Sequence, residues 1–581
     1  MTRPLVLFCL ALSAATALAA DATKALHDFF AAEWEDSMQR NPTWASQLGD
    51  RRWNDRWEDL TPAAIEAEQR HSQDALARLR KIDRKALSQR DQLNYDLFEH
   101  RLTQSIEGHA FRWHFVPLNQ RGGLQTEDEL ADSLRFETVK DFEDWLARLR
   151  ALPRYAAQTT DLMREGIRAR IVHAKVVMQR VPGQIEKQLV TDPEKSPFYK
   201  PFANIPKPLA ADRDRLQAEA RRVIAQQVVP AYRAFHEFFV KEYLPACFDQ
   251  VGCWQMPEGA ARYAFEAKKF TTTSLTPREI HELGLKEVAR IRAEMLAIKD
   301  KVGFKGDLRA FFQFLRTDAQ FYYKTPQELL VGYHAMSRRI DPLLVKVFKT
   351  LPRMPYGVEA IPDKMAPDTT TAYYRPPAAD GSRAGTYFVN LYRPETRPKW
   401  EMMALSLHEA VPGHHLQIAL AQEQGELPNF RRYGGYTAFI EGWGLYSEFL
   451  GEELGLYADP YDKFGQLTYE MWRAVRLVVD TGMHALKWDR QRAIDYFKAN
   501  APKAENDIIN EIDRYISWPG QALAYKVGEL KLKELRTRAA KELGPKFDVR
   551  EFHDVALRNG AVPLEILERF VDEWVNEKRA N

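Results

Sequence analysis

In RPKWEMMALSLHEAVPGHHLQIALAQEQ, residues 397–424, an apolar stripe at helical spacing runs into a proline. Pro412 offers no N–H to the carbonyl four residues earlier, that of His408, and its ring clashes with that carbonyl. An unbroken helix is excluded, and the chain must bulge or kink. Trp400, Met403, Ala404 and Leu407 trace one apolar face, which Met402 and Leu405 widen, so the segment reads as mostly buried. A buried helix carrying His408 and Glu409 must give both groups partners, because unpaired burial costs on the order of several kcal/mol.

The spacing of these groups is close to H-E-x-x-H, in which two histidines four apart share a helical face and the glutamate acts on a metal-bound water. Here the fourth residue after His408 is Pro412. In a regular helix His415 would lie about 10 Å further along the axis, too far to share one ion bound at about 2 Å. Extruding Pro412-Gly413 as a two-residue insertion brings His414 into the second ligand position. The reading is His408 and His414 as ligands, with His415 as a neighbour that binds substrate or replaces His414. A catalytic zinc has three protein ligands and an open position. The best third ligand is Glu441 in GGYTAFIEGWGLYSEFLGEE, a carboxylate set among Phe439, Ile440 and Trp443. Gly442 and Gly444 would let this helix approach another backbone closely. Glu448, seven residues on, either orients a ligand histidine from behind or is an exposed charge beside Glu452 and Glu453. Glu409, too close in sequence to His408 to bind comfortably beside it, is the general base.

A second polar pattern crosses MWRAVRLVVDTGMHALKW, where Arg473, Arg476, Asp480 and His484 follow at intervals of three, four and four. They face one way. They form either a buried ion-pair network bracing the site or one wall of a substrate channel, where an arginine would favour a free substrate carboxylate. Arg514 and Tyr515 could play the same part.

HEAVPGHHLQ, FIEGWGLYSE, RAVRLVVDTGMH and WPGQALAYKVG together resemble the bacterial DUF885 family, helical proteins related to zinc peptidases whose third ligand is a glutamate on a downstream helix. The resemblance covers most of the chain beyond its leader and implies a zinc (one divalent ion) and a gluzincin-like metallopeptidase. It also implies that a late-helix tyrosine, here Tyr525, stabilises the tetrahedral intermediate, unless it is an ordinary packed tyrosine. Strand GTYFVNLYRP, residues 385–394, precedes the metal helix as the edge strand does in those peptidases. It could pair with an extended peptide, with Asn390 near its middle, or be an ordinary hairpin.

Composition bounds the rest. With 581 residues, 45% of them hydrophobic, the chain can bury a large core. Lysine and arginine number 83 against 81 acidic residues, so no global field favours nucleic acid or an anionic membrane. Residues 1–19 read as a signal peptide with Ala17-Leu18-Ala19 as the cleavage site, giving a periplasmic or secreted protein with no integral membrane association afterwards. Phe8 before Cys9 is a poor match to a lipoprotein signal, so a soluble product is expected. Cys247 and Cys253 would then form one short-loop disulfide. Residues 20–350 are overwhelmingly helical in pattern and read as scaffold; residues 351–581 carry the catalytic region, the lobes intertwined in one domain. Prolines crowd residues 351–398, which read as loop and strand. The expected fold is mainly α, bilobal around a deep cleft, with a small β-sheet beside the metal-binding helix. The expected function is cleavage of short peptides; the alternatives are a zinc amidohydrolase acting on a cell-wall or non-standard amide, and a non-catalytic metal-containing binding protein.

Overall fold

The computed structural model describes residues 20–363, 366, 370–378, 381, 383–425 and 427–580; the leader at 1–19, with Cys9, lies outside them. Helices dominate, joined by one small mixed sheet. The chain divides into two compact units, one formed by residues 1–251, 255–259 and 428–430, the other by 252–254, 260–427 and 431–581. The helices from residue 260 to 346 therefore cluster with the metal-helix segment.

The first unit is built on α1 (Pro62–Leu79), α2 (Gln89–His109) and α3 (Val139–Ala169). Thr61, Ser88 and Thr138 each cap the next helix with a side-chain oxygen, satisfying an amide that no helical carbonyl can reach. Arg148 of α3 is fully buried, and backbone carbonyls of Arg56 and Trp53 receive its N–H groups at 2.9 Å.

In the second unit, α4 (Pro277–Lys301) starts with the capping box that TPRE spells: the Thr276 side chain accepts from the Glu279 amide, and Glu279 accepts from the Thr276 amide at 2.8 Å. α5 (Pro326–Ile340) leads to β1 (Tyr356–Ala360), β2 (Ala372–Arg375) and β3 (Gly385–Val389). α6 (Lys399–Glu409), α7 (His414–Gln422), α8 (Thr437–Glu453), α9 (Pro460–His484), α10 (Glu505–Ser517) and α11 (Ala524–Leu543) follow. α9 is the central strut, buried from Phe464 to His484 except at Trp472 and packed against α4, α6 and α10. α8 and α11 cross backbone to backbone: a Cβ on Gly442 would stand 2.5 Å from the Gly528 Cα, and one on Gly528 would stand 1.9 Å from the Ala438 carbonyl oxygen.

The sheet order is β1-β3-β2, with β3 parallel to β1 and antiparallel to β2. The strand expected to accept a peptide by edge addition is thus the central one. Both of its edges are hydrogen-bonded and all five of its residues are buried, which corrects that expectation. Tyr387 and Val389 instead pack with Met402, Ala404, Leu405 and Ala410, seating the sheet on α6 and the turn after it.

The expected disulfide is also corrected: Cys247 and Cys253 are buried free thiols. The Cys247 thiol donates to the Tyr243 carbonyl at 3.4 Å, and the Cys253 amide is bonded to His484. Burial pushes the Cys247 thiol up to about 12 and the Cys253 thiol well above its ordinary value, so both stay protonated. Among the described residues no helix is long and apolar enough to cross a membrane.

Candidate metal centre

α6 stops at Glu409 and α7 begins at His414, so four residues, Ala410–Gly413, leave helical geometry rather than the two expected. The Val411–Pro412 bond is cis. The ends of the loop are tied: the Ala410 amide donates to the Ser406 carbonyl and the His415 amide to the Ala410 carbonyl, each at 3.0 Å. The Pro412 carbonyl accepts from the Trp443 indole at 2.8 Å, which binds the turn to α8. Gly413 folds back onto the His408 carbonyl that Pro412 leaves without a helical donor. A Cβ there would sit 1.8 Å from that oxygen, so only glycine fits.

This detour brings the rings of His408 and His414 to a centroid separation of 4.7 Å, nearly perpendicular at 86°. Glu441 of α8 completes the set: one of its carboxylate oxygens lies 3.5 Å from His408 Nε2 and 3.6 Å from His414 Nε2. All three ligand atoms fall within 4.8 Å of one another, and this is the only such group of three or more among the described residues. Distances of 3.5 and 3.6 Å are long for hydrogen bonds but close to the edges of a tetrahedron whose metal–ligand bonds are about 2.0–2.1 Å, edges of roughly 3.4 Å. Two imidazoles and one carboxylate are also a donor set that suits zinc. The residues present fit the ion.

Behind the ligands, Glu448 is fully buried, not exposed beside Glu452 and Glu453, and accepts from His408 Nδ1 at 2.7 Å. That bond fixes the tautomer and leaves the Nε2 lone pair facing Glu441. Arg473 stands 3.7 Å from the same Glu448 oxygen. Gly444, one turn before Glu448, lets α8 lie against the ring: a Cβ there would be 2.7 Å from His408. Without an ion, burial works against charge on His408, yet the Glu441 and Glu448 carboxylates raise it to about 9. Burial lowers His414 to about 4. Burial also pushes the adjacent Glu409 carboxyl up to about 7.

The remaining residues singled out in the sequence separate cleanly. His415 turns away from the centre: its Nε2 donates to the Met354 carbonyl at 3.0 Å and its Nδ1 accepts from the Tyr374 hydroxyl at 2.8 Å. Both ring nitrogens are used, so His415 is not an alternative ligand. Asn390 is spent on loop carbonyls, donating to Ala366 at 2.8 Å and Thr370 at 3.1 Å. Asp480 accepts from the Tyr263 hydroxyl at 2.6 Å and the Gly520 amide at 3.1 Å. His484 donates from Nε2 to the Tyr515 carbonyl at 3.0 Å. Arg476 donates from Nε to the Tyr515 hydroxyl at 2.8 Å and stacks 4.3 Å from the centre of the half-buried Tyr525 ring. Arg514 donates to Glu511 at 3.3 Å and to Gln521 at 2.8 Å.

Two sets of residues escaped the sequence reading. Glu511 joins Arg476, Arg514 and Tyr515; its spacing of three and four from Arg514 and Tyr515 was the available signal. Lys526 of α11, fully buried, bridges Glu470 at 2.7 Å, Glu529 at 2.5 Å and Glu287 at 3.2 Å, linking α11 to α9 and α4. A lysine and a glutamate inside the apolar runs ALAYKVG and LTYEMWRAV were its sequence trace.

A structure from Colwellia psychrerythraea, described as a candidate lipoprotein, is 30% identical, with a TM-score of 0.88 over 96% of this chain and 100% of that one. Another, a candidate lipoprotein of unknown function from Shewanella oneidensis, is 18% identical with a TM-score of 0.69, covering 94% of this chain and 99% of that one; at that identity it shows the fold alone. No curated protein matches the chain. The profile of DUF885, a bacterial protein family of unknown function, matches residues 42–571, and the chain belongs to that family.

Proposed function

We propose that the protein is an exported, zinc-dependent hydrolase related to the gluzincin peptidases, and that it cleaves peptide bonds of short peptides. The observation that carries this reading is the convergence of His408, His414 and Glu441 at tetrahedron-edge spacing, with no fourth protein ligand among the described residues and Glu409 next to the first imidazole. When bound, zinc would supply a Lewis acid that polarises a carbonyl and acidifies water at neutral pH. Glu409 takes the proton from the attacking water and delivers it to the departing amine. Glu448 holds His408 in the tautomer that offers Nε2, with Arg473 beside it. Tyr525 donates its hydroxyl proton in a hydrogen bond to the oxygen on which charge develops.

The description of the Colwellia psychrerythraea protein as a candidate lipoprotein supports an envelope location, which agrees with an export leader at residues 1–19. Digestion of a mixed peptide library, read by mass spectrometry, tests the reading. Cleavage that stops on chelation, returns with zinc, and is absent from Glu409→Gln at full metal occupancy is the expected result. Full occupancy with no cleavage by the native protein would leave a binding protein, and cleavage only of cell-wall or modified amides would leave the amidohydrolase.

A further inference from the structure

Arg473 and Arg476 lie on the polar stripe of α9, Arg514 stands on α10 and shares Glu511 with Arg476, and not all of their donors find an acceptor. Arg473 and Arg476 are 6% and 3% exposed, and the Arg514 side chain is 13% exposed. Arg476 spends Nε on the Tyr515 hydroxyl and Nη2 on Glu511 at 3.1 Å. Arg514 spends Nη1 on Glu511 and Nη2 on Gln521. Arg473 gives Nη1 to the Tyr469 carbonyl at 3.2 Å. What remains is Nη1 of Arg476 and Nε of Arg473 and Arg514, all buried and without an acceptor. A buried guanidinium donor left unpaired carries its full desolvation penalty, so those of Arg476 and Arg514, joined through Glu511, point to an acceptor that arrives with a ligand.

Charge gives the same answer. Arg476 and Arg514 share the one carboxylate of Glu511, which also accepts from the Tyr515 hydroxyl at 2.6 Å. Glu448, the countercharge near Arg473, accepts from His408 through one oxygen while its other buried oxygen has no donor, so the surplus of positive charge lies at Arg476 and Arg514 rather than at Arg473. Stacking on Trp472 and Tyr525 covers the faces of the Arg476 guanidinium but supplies no acceptor for Nη1. A ligand that satisfies both the charge and these donors is an anion with oxygens that can accept in the guanidinium plane, as a carboxylate does.

Arg473 lies against the residue that holds His408, and Arg476 follows one turn later, about 4.5 Å along the axis. That chain of contacts, Arg473 to Glu448 at 3.7 Å and Glu448 to His408 at 2.7 Å, keeps an anion at Arg476 within a few extended residues of a bond cleaved at the centre. Resting on the peptidase reading above, we propose that Arg476 and Arg514 bind the free α-carboxylate of the substrate, which makes the enzyme one that trims short fragments from peptide C-termini. The bond broken is still one amide C–N bond. Water gives OH to the acyl carbon and H to the amine, so no other reactant is consumed.

One peptide in four end states, with free or acetylated N-terminus and acid or amide C-terminus, tests this on the zinc-loaded protein. Both acid forms are expected to lose a short C-terminal fragment, with the amides at least about 100-fold lower in kcat/KM and acetylation without effect. Arg476→Gln should shrink the acid-to-amide ratio to within about tenfold, mainly through KM; Arg514→Gln serves if that variant does not fold. Equal cleavage of acid and amide would overturn the subsite and leave the peptidase reading standing. If no form is cleaved, the peptidase reading falls, and calorimetry with an acetylated dipeptide acid and its amide judges the subsite alone. Binding of the acid but not the amide supports it; no binding of the acid overturns it.

Discussion

Glu448 decides how His408 is presented. Its carboxylate accepts the Nδ1 proton at 2.7 Å, and removing it frees the ring to rotate and lowers its basicity. Glu448→Ala should weaken zinc binding about 10–100-fold in a chelator competition, whereas Glu448→Gln, which keeps an acceptor, should lose less. Gly444→Ala attacks the same ring from the other side. Its new methyl would meet His408 at 2.7 Å, so zinc affinity should fall by at least about tenfold while the helical circular dichroism signal persists. The ligands themselves were legible because Pro412 forces a detour and only a detour puts His414 beside His408. The role of Glu448 was not: seven residues after Glu441 it lies on the same face whether that face is buried or wet, and burial is set by α6 and α11, which pack on α8 from distant parts of the sequence. His415 could not be excluded for the same reason, since Tyr374 and the Met354 carbonyl, its two partners, come from the sheet region.

At the scale of elements, helix starts were readable and neighbours were not. The Thr276/Glu279 box is written in four consecutive residues. The position of β3 between β1 and β2 depends on pairing across residues 356 to 389, and an aromatic, β-branched run looks the same at an edge or in the centre of a sheet. The α8–α11 crossing, which fixes Glu441, depends on two glycines far apart in sequence. Gly528→Ala would press its methyl to 1.9 Å from the Ala438 carbonyl and should cost about 1–3 kcal/mol or more in chemical denaturation. Gly357→Ala is the control: nothing lies within 4 Å of its added Cβ, and its effect should stay within about 0.5 kcal/mol.

For the whole molecule, buried neutral histidines set the response to acid. His553 donates from Nδ1 to the Val347 carbonyl at 2.7 Å and accepts from the Tyr446 hydroxyl at 2.9 Å, and burial lowers it to about 3. Burial lowers His484 to about 4. Unfolded imidazoles titrate near about 6.5, so between these values the unfolded chain binds the extra proton. The stability they contribute is complete above about pH 6.5 and is lost as pH falls toward the folded values. Asp480 acts oppositely, because burial raises it to about 7 and its folded form prefers the proton. Replacing His553 with glutamine should therefore shrink the loss of stability between pH 8 and pH 5 by about 2 kcal/mol in urea unfolding. Mainly helical character and a balanced charge were plain from composition and periodicity. The division of the chain near residue 251, and the place of the helices from residue 260 onward with the metal-helix segment, were not, because α4 joins α9 through side chains nearly two hundred residues apart.

Anomalous diffraction at the zinc edge, on crystals of the zinc-loaded protein, tests the centre most directly. A single peak about 2.0–2.1 Å from Nε2 of both His408 and His414, and about 2.0–2.2 Å from a Glu441 oxygen, is the result this account requires. Zinc bound elsewhere, or no peak among those three side chains at saturating zinc, would contradict it.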